Sequence, residues 1–151
     1  RSLVGKSYVY IWADGVHFNV RLEEDRLACL VIIGVTPSGS KEVIAIEDGY
    51  RESTESWATL LRDLKHRGMP APKLATADGA LGFWKALGQV YPQTEEQRCW
   101  VHKIANVLDK LPKRIQPRAK LQLHEIMRAP DRQTAVEEIG RFTVEFEDRC
   151  F

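Results

Sequence analysis

The chain is poor in cysteine and has no long apolar run, and each shortage excludes a class of protein. Cys29, Cys99 and Cys150 form an odd, widely scattered set, which makes no disulfide framework and suits a reducing compartment. No apolar stretch approaches the ~18–20 residues that a membrane helix needs. Gly-x-Gly-x-x-Gly, P-loop and nucleophile-elbow motifs are missing, so nucleotide cofactors and acyl transfer lose their usual signals. No signal peptide is expected, and the sequence shows no internal repeat or low-complexity segment. An excess of one charge is missing too, with 22 basic against 21 acidic side chains.

What remains is the material of about one domain. A chain of 151 residues falls within the ~100–200 typical of a domain and buries nearly 70% of its unfolded surface without staples. A content of 44% hydrophobic and 28% charged residues argues for a globular fold and against disorder. The sequence runs from Arg1 to Phe151 without terminal punctuation and is expected to be a piece of something longer.

The balanced charge hides an asymmetry. Residues 1–97 carry 11 basic and 13 acidic side chains, whereas residues 98–151 carry 11 and 8. Within Arg98–Arg128 the count is 8 to 2. Lys110, Lys113, Arg114, Arg118 and Lys120 crowd around Pro112 and Pro117. Such a field attracts polyanions, because neutralised phosphates release counterions. The alternative is a solvated helix face.

The first half has the period of strands. Tyr8–Arg21 alternates, with a bulge expected at Gly15, and Glu23–Arg26 makes the following turn. Leu27–Val35 is near-continuously apolar and is expected to be covered on both faces. Thr36–Ser40 is turn chemistry, and Lys41–Ile46 closes an antiparallel meander. After Gly49 the period changes to about 3.6. Ser53 or Thr54 caps a helix bearing Trp57, Leu60, Leu61 and Leu64, which Gly68 stops. A short strand over Lys73–Ala77 precedes a helix with Ala80, Trp84, Leu87 and Tyr91 on one stripe. Glu96–Trp100 is a further strand, and a third helix carries Val101, Ile104, Leu108 and Leu111. Beyond Pro117 the pattern is helical through Leu121, Ile126, Val136, Ile139 and Phe142. A crossover helix should return the fourth strand parallel to the first. The expected architecture is a mixed five-stranded α/β sheet in order 3-2-1-4-5 with flanking helices. It resembles that of ribonuclease-H-like nucleases and transposases. The expected division is a partial core over residues 1–111 and the start of a helical insertion over 112–151.

This topology brings two aspartates together. Asp14 lies within the first strand and Asp78 at the end of the fourth, on neighbouring strands. Paired carboxylates bind hard divalent cations, and two cations ~3.5–4 Å apart can serve phosphoryl transfer. Against this, Asp-Gly is a common turn dipeptide; Asp48-Gly49 is a third copy and reads as a turn. Cys99-Trp100-Val101-His102 has the spacing of half a zinc site, with no second pair to complete it. The favoured reading is a buried cysteine and a hydrogen-bonded histidine at a strand-to-helix junction. His17 reads as a polar residue near the sheet edge, and Trp12, Trp57, Trp84 and Trp100 as core.

Five segments, YIWADGVHFNVR (residues 10–21), GVTPSGSKEVIAI (34–46), WATLLRDLKHRG (57–68), TADGALGFWKA (76–86) and QRCWVHKIANVL (97–108), stand in this order. Together they resemble the Mutator-type transposases of bacterial insertion sequences, over nearly the whole chain. The resemblance implies a ribonuclease-H-like catalytic domain that uses an Asp-Asp-Glu triad with Mg2+ or Mn2+. Such enzymes nick DNA at transposon ends and transfer the freed 3′-hydroxyl to target DNA. Asp14 and Asp78 match the two triad aspartates and become expected catalytic and metal-binding residues. Cys99 and His102 match a Cys-x2-His signature, expected to be structural or DNA-proximal. Lys110, Lys113, Arg114, Arg118 and Lys120 are the expected DNA contacts. The family's glutamate lies beyond a helical insertion, farther downstream than this sequence reaches. Glu125, Glu137, Glu138, Glu145 and Glu147 match no motif, so the fragment is expected to be inactive. Partners implied are transposon-end and target DNA and further copies of the enzyme, in the bacterial cytoplasm at the nucleoid and away from membranes. Two alternatives are a nuclease that only hydrolyses and a DNA-binding or assembly module that has lost catalysis.

Overall fold

A computed structural model describes residues 2–18, 27–49, 53–79 and 81–147. The elements run β1 (Tyr10–Phe18), β2 (Leu27–Val35), β3 (Lys41–Gly49), α1 (Thr54–His66), β4 (Leu74–Ala77), α2 (Leu81–Val90), β5 (Glu95–Arg98), α3 (Trp100–Leu108), α4 (Gln116–Arg128) and α5 (Arg132–Phe146). Two compact units divide the chain, Arg1–Cys99 and Trp100–Phe151.

The first unit is a five-stranded sheet in order β3-β2-β1-β4-β5. β1 pairs antiparallel with β2 and parallel with β4; β2 pairs antiparallel with β3, and β4 parallel with β5. This is the mixed ribonuclease-H-like sheet. The crossover through α1 is the kind of connection that lets β4 run parallel to β1.

α1 begins at Ser53, whose hydroxyl accepts from the Ser56 backbone N–H while the Ser56 side chain returns the bond to the Ser53 N–H. This reciprocal cap satisfies donors that the helix leaves unpaired. Trp57, Leu60, Leu61 and Leu64 are all buried, and Gly68 ends the turn at φ +98°, a conformation costly for any other residue. α1 and α2 cover one sheet face, packing on Ile11, Ala13, Leu30, Ile32, Ile44, Ala45, Ala75 and Ala77. Trp57 meets Phe83 edge-on with ring centroids 5.1 Å apart. Phe83, absent from the expected stripe, is a core residue of α2, whereas Trp84 is half-buried and Ala80 lies outside the described residues.

The other sheet face differs from expectation. Tyr10, Trp12, Val43 and Ile46 are exposed, and Val31 and Ile33 only half-buried, so β2 is buried on one face. The expected bulge at Gly15 is missing: β1 pairs with β2 in continuous register from Tyr10 to Phe18. The irregularity lies instead between β2 and β3, where Ile32 pairs with Ala45 and Ile33 with Val43. Its extra residue is Ile44, and the shift turns both Ile44 and Ala45 inward, where they are buried. Packing of two successive apolar side chains, not glycine, places this bulge. The turn expected at Glu23–Arg26 lies outside the described residues, as do Asn19 to Arg21.

The second unit comprises α3, α4 and α5. Ile104, Leu123 and Ile126 form one cluster, and Leu111, Ala119 and Phe146 another. Leu108 and Phe142 touch both. Gln116 donates through Nε2 to the Leu108 and Leu111 carbonyls at 2.9 and 3.0 Å, satisfying acceptors that the end of α3 leaves open. Asp131 caps α5 by accepting from the Thr134 N–H at 2.8 Å. Four expected stripe residues are corrected: Val101, Leu121, Val136 and Ile139 are exposed. Three helices packed only on one another's narrow stripes leave these faces uncovered.

Candidate active site

The open face of the sheet carries both aspartates. Along β1, Ile11 and Ala13 point into the core while Tyr10, Trp12 and Asp14 are exposed. Along β4, Ala75 and Ala77 are buried while Leu74 and Thr76 are less so, and Asp78 continues that alternation half-buried. Tyr10 pairs with Leu74, Trp12 with Thr76 and Ala13 with Ala77. The period of two therefore brings Asp14, midway along β1, and Asp78, the residue after β4, to the same face just past the last paired residues Ala13 and Ala77.

None of the three Asp-Gly pairs is the tight turn that its composition suggests: Asp48 and Gly49, read as a turn, lie in β3 paired with Cys29 and Ala28. Asp14 and Gly15 lie within β1, paired with Val31 and Leu30. Among the described residues, positive φ occurs only at Gly5, Gly39 and Gly68, so Gly79 does not supply a left-handed turn. It supplies space. A Cβ at Gly79 would stand 3.3–3.4 Å from the Cζ, Nη1 and Nη2 atoms of Arg98.

The backbone after β4 is held from several sides. Asp78 Oδ1 accepts from the Gly79 N–H at 2.6 Å. The Trp84 indole N–H donates to the Asp78 carbonyl at 3.1 Å, and Phe83 meets Trp84 edge-on with centroids 5.1 Å apart. Rings thus run from buried Trp57 through Phe83 to Trp84 and the Asp78 backbone. Trp84 reads as core in sequence; its indole N–H, which needs a partner when buried, was the available signal for this second role. The Cys99 N–H donates to the Ala77 carbonyl at 2.8 Å, continuing the β4–β5 ladder past Arg98.

The remaining expected residues divide. Cys99 is partly buried and unbonded to another cysteine. His102 departs from the expected hydrogen-bonded histidine: its Nδ1 is buried without a partner. The backbone of His17 pairs with Ala28, and its side chain lies outside the described residues, as does Cys150. Trp12 and Trp100 correct the core reading, with 37% and 38% of their surface exposed; the Lys41 ammonium sits 4.9 Å from the centre of the Trp12 ring. Lys110, Lys113, Arg114, Arg118 and Lys120 are exposed in the second unit. Arg118 is ion-paired with Glu145, which reduces its share of the positive field.

As a donor set, Asp14 and Asp78 suit a hard cation with oxygen ligands. They supply two carboxylates, and no group of three or more His, Cys, Asp or Glu able to hold a metal occurs among the described residues. Glu138 pairs with Arg141 at 2.6 Å and Glu137 accepts from Gln133 at 3.1 Å. No helix among the described residues is long and apolar enough to cross a membrane.

The sheet order and its parallel β1–β4 pair define a ribonuclease-H-like domain. Its sequence matches the family described as "Transposase, Mutator family" over residues 1–150. The chain belongs to that family. It is 54% identical over 146 residues to the transposase for insertion sequence element IS6120 of Mycolicibacterium smegmatis, covering 97% of this chain and 45% of that protein. It is 50% identical over 141 residues to the transposase for IST2 of Acidithiobacillus ferrooxidans, covering 93% and 45%. The chain thus spans about half the length of these relatives. Among solved structures, the HTLV-2 integrase catalytic core domain in complex with magnesium aligns over 89% of this chain and 95% of that one, at 15% identity and a TM-score of 0.42.

Proposed function

We propose that this chain is part of the catalytic region of a DNA transposase, with Asp14 and Asp78 as two of its catalytic carboxylates. The observation that carries the reading is their shared position, on one open face just past the paired stretch of the adjacent parallel strands β1 and β4. A Mg2+ or Mn2+ ion held there would supply charge stabilisation and an activated water or 3′-hydroxyl for phosphoryl transfer. The chain's own part is to hold the carboxylates: the pairing of Asp14 with Val31 of β2 fixes Asp14 within β1, and the Trp84 indole fixes the Asp78 backbone. Residues 1–111 form the catalytic core in this proposal, and residues 112–151 begin a helical insertion. Cys99 and His102 are structural or DNA-proximal. Lys110, Lys113, Arg114, Arg118 and Lys120 attract DNA phosphates, with Arg118 the weakest because Glu145 holds it. The enzyme works on transposon ends and target DNA as a homo-oligomer at the bacterial nucleoid.

Two carboxylates leave most of a cation's roughly six-oxygen shell to water. Residues 1–151 alone should therefore bind Mn2+ only in about the millimolar range and leave DNA uncut. The test uses a longer transposase containing this chain and a third carboxylate. That protein should nick transposon-end DNA, and Asp14→Ala or Asp78→Ala should each remove nicking. An Asp78→Ala enzyme that still cuts would overturn the site.

A further inference from the structure

We infer that Arg98 is a phosphate-contacting residue at the Asp78 end of the sheet, a role that rests on the DNA reading above. β5 pairs with β4 so that Arg98 stands beside Ala77, one residue before Asp78. Three guanidinium atoms lie where a Cβ on Gly79 would meet them at 3.3–3.4 Å, so the group lies against the Asp78-Gly79 backbone. Gly79 has no positive φ, and what its missing side chain provides is room for this approach. Among the described residues the guanidinium has no carboxylate or other acceptor; the only bond at Arg98 beyond the sheet ladder is to its carbonyl, from Gln97 Nε2 at 2.9 Å. The residue is exposed. A planar fork of five donors, held at a strand end and left unmatched, is chemistry suited to a phosphate oxygen pair. The DNA backbone phosphate beside the cutting site is the ligand of that class. Arg98 thus belongs with Asp14 and Asp78 in the first unit, separate from the basic residues of the second.

The experiment measures binding of a short labelled DNA duplex by the 151-residue chain over a range of KCl concentrations. Arg98→Ala should lower affinity about tenfold at low salt and reduce the slope of log K against log salt by about one, the value of a single phosphate contact. Arg98→Lys should keep the slope and recover part of the affinity, since it keeps charge and loses the fork. Gly79→Ala, which crowds the guanidinium, should shift binding in the same direction as Arg98→Ala by a smaller amount. An unchanged slope in Arg98→Ala overturns the proposal, even if affinity falls, because loss of structure alone does not remove one counterion's worth of salt dependence. Lysine failing to keep the slope overturns it as well. A wild-type chain that binds no duplex overturns both this contact and the DNA partner. Asp78→Ala nicking, by contrast, overturns the carboxylate site and leaves the Arg98 result standing.

Discussion

The two units solve the burial problem to different extents. Residues 1–99 place two helices on a sheet and enclose one continuous core from Leu3 to Tyr91. Residues 100–151 have two small clusters joined through Leu108 and Phe142, with Leu121, Val136, Ile139 and Val144 left exposed. A sheet face and two amphipathic helices offer broad, complementary apolar surfaces, whereas three helices without a sheet meet along narrow stripes. The first unit therefore holds its candidate carboxylates on a rigid base. The second presents basic side chains on a scaffold with less packing behind it.

The largest effect expected from this contrast is in the first core. Trp57→Ala removes a side chain 1% exposed and should cost about 3–5 kcal/mol in denaturant unfolding. Phe146→Ala, at a helix end in the second unit, should cost about 2 kcal/mol or less, because a small cluster collapses more readily. Equal losses would break the comparison.

Alkali should weaken the first unit next. Burial pushes the Tyr91 phenol up to about 12, while its hydroxyl donates to the Met69 carbonyl at 3.0 Å. The folded state keeps this proton where the unfolded state releases it. Stability from Tyr91 is thus fully present below about pH 10 and falls between about 10 and 12, by on the order of 2 kcal/mol. Tyr91→Phe should flatten that part of a pH–stability curve.

A cap is smaller still. Ser53→Ala should cost about 1 kcal/mol, read by thermal or denaturant unfolding. Asp131 provides the counterpart in the second unit: the Thr134 backbone and hydroxyl bonds hold its carboxyl below the ordinary range. That contribution is present above the usual carboxylate pKa and disappears as acid protonates the folded group. Helical circular dichroism of Asp131→Asn should lose this acid response.

The smallest effect should come from Val144→Lys, on a residue 84% exposed, with a change within about 0.5 kcal/mol. A larger loss would show that the second unit buries this face in solution.

Strand order was legible because a short turn joins β2 to β3 and one helix separates β3 from β4, leaving few right-handed connections. Helix α1 was legible from the spacing of Trp57, Leu60, Leu61 and Leu64, which depends only on a 3.6 period. The adjacency of the strands that carry Asp14 and precede Asp78 was legible as topology. Several features were not. Val101 and Leu121 fit an apolar stripe that nothing among the described residues covers, and periodicity shows a direction without showing what lies there. The bulge at Ile44 arises from packing two neighbours inward, which no local residue signals. Asp78-Gly79 reads locally as a turn, yet only the β4–β5 pairing shows that its glycine admits the Arg98 guanidinium. Local chemistry determined the elements and their order, because capping and periodicity act within a few residues. Tertiary structure decided which surfaces were covered and which side chains met at the sheet's end, because those contacts join residues far apart in the chain.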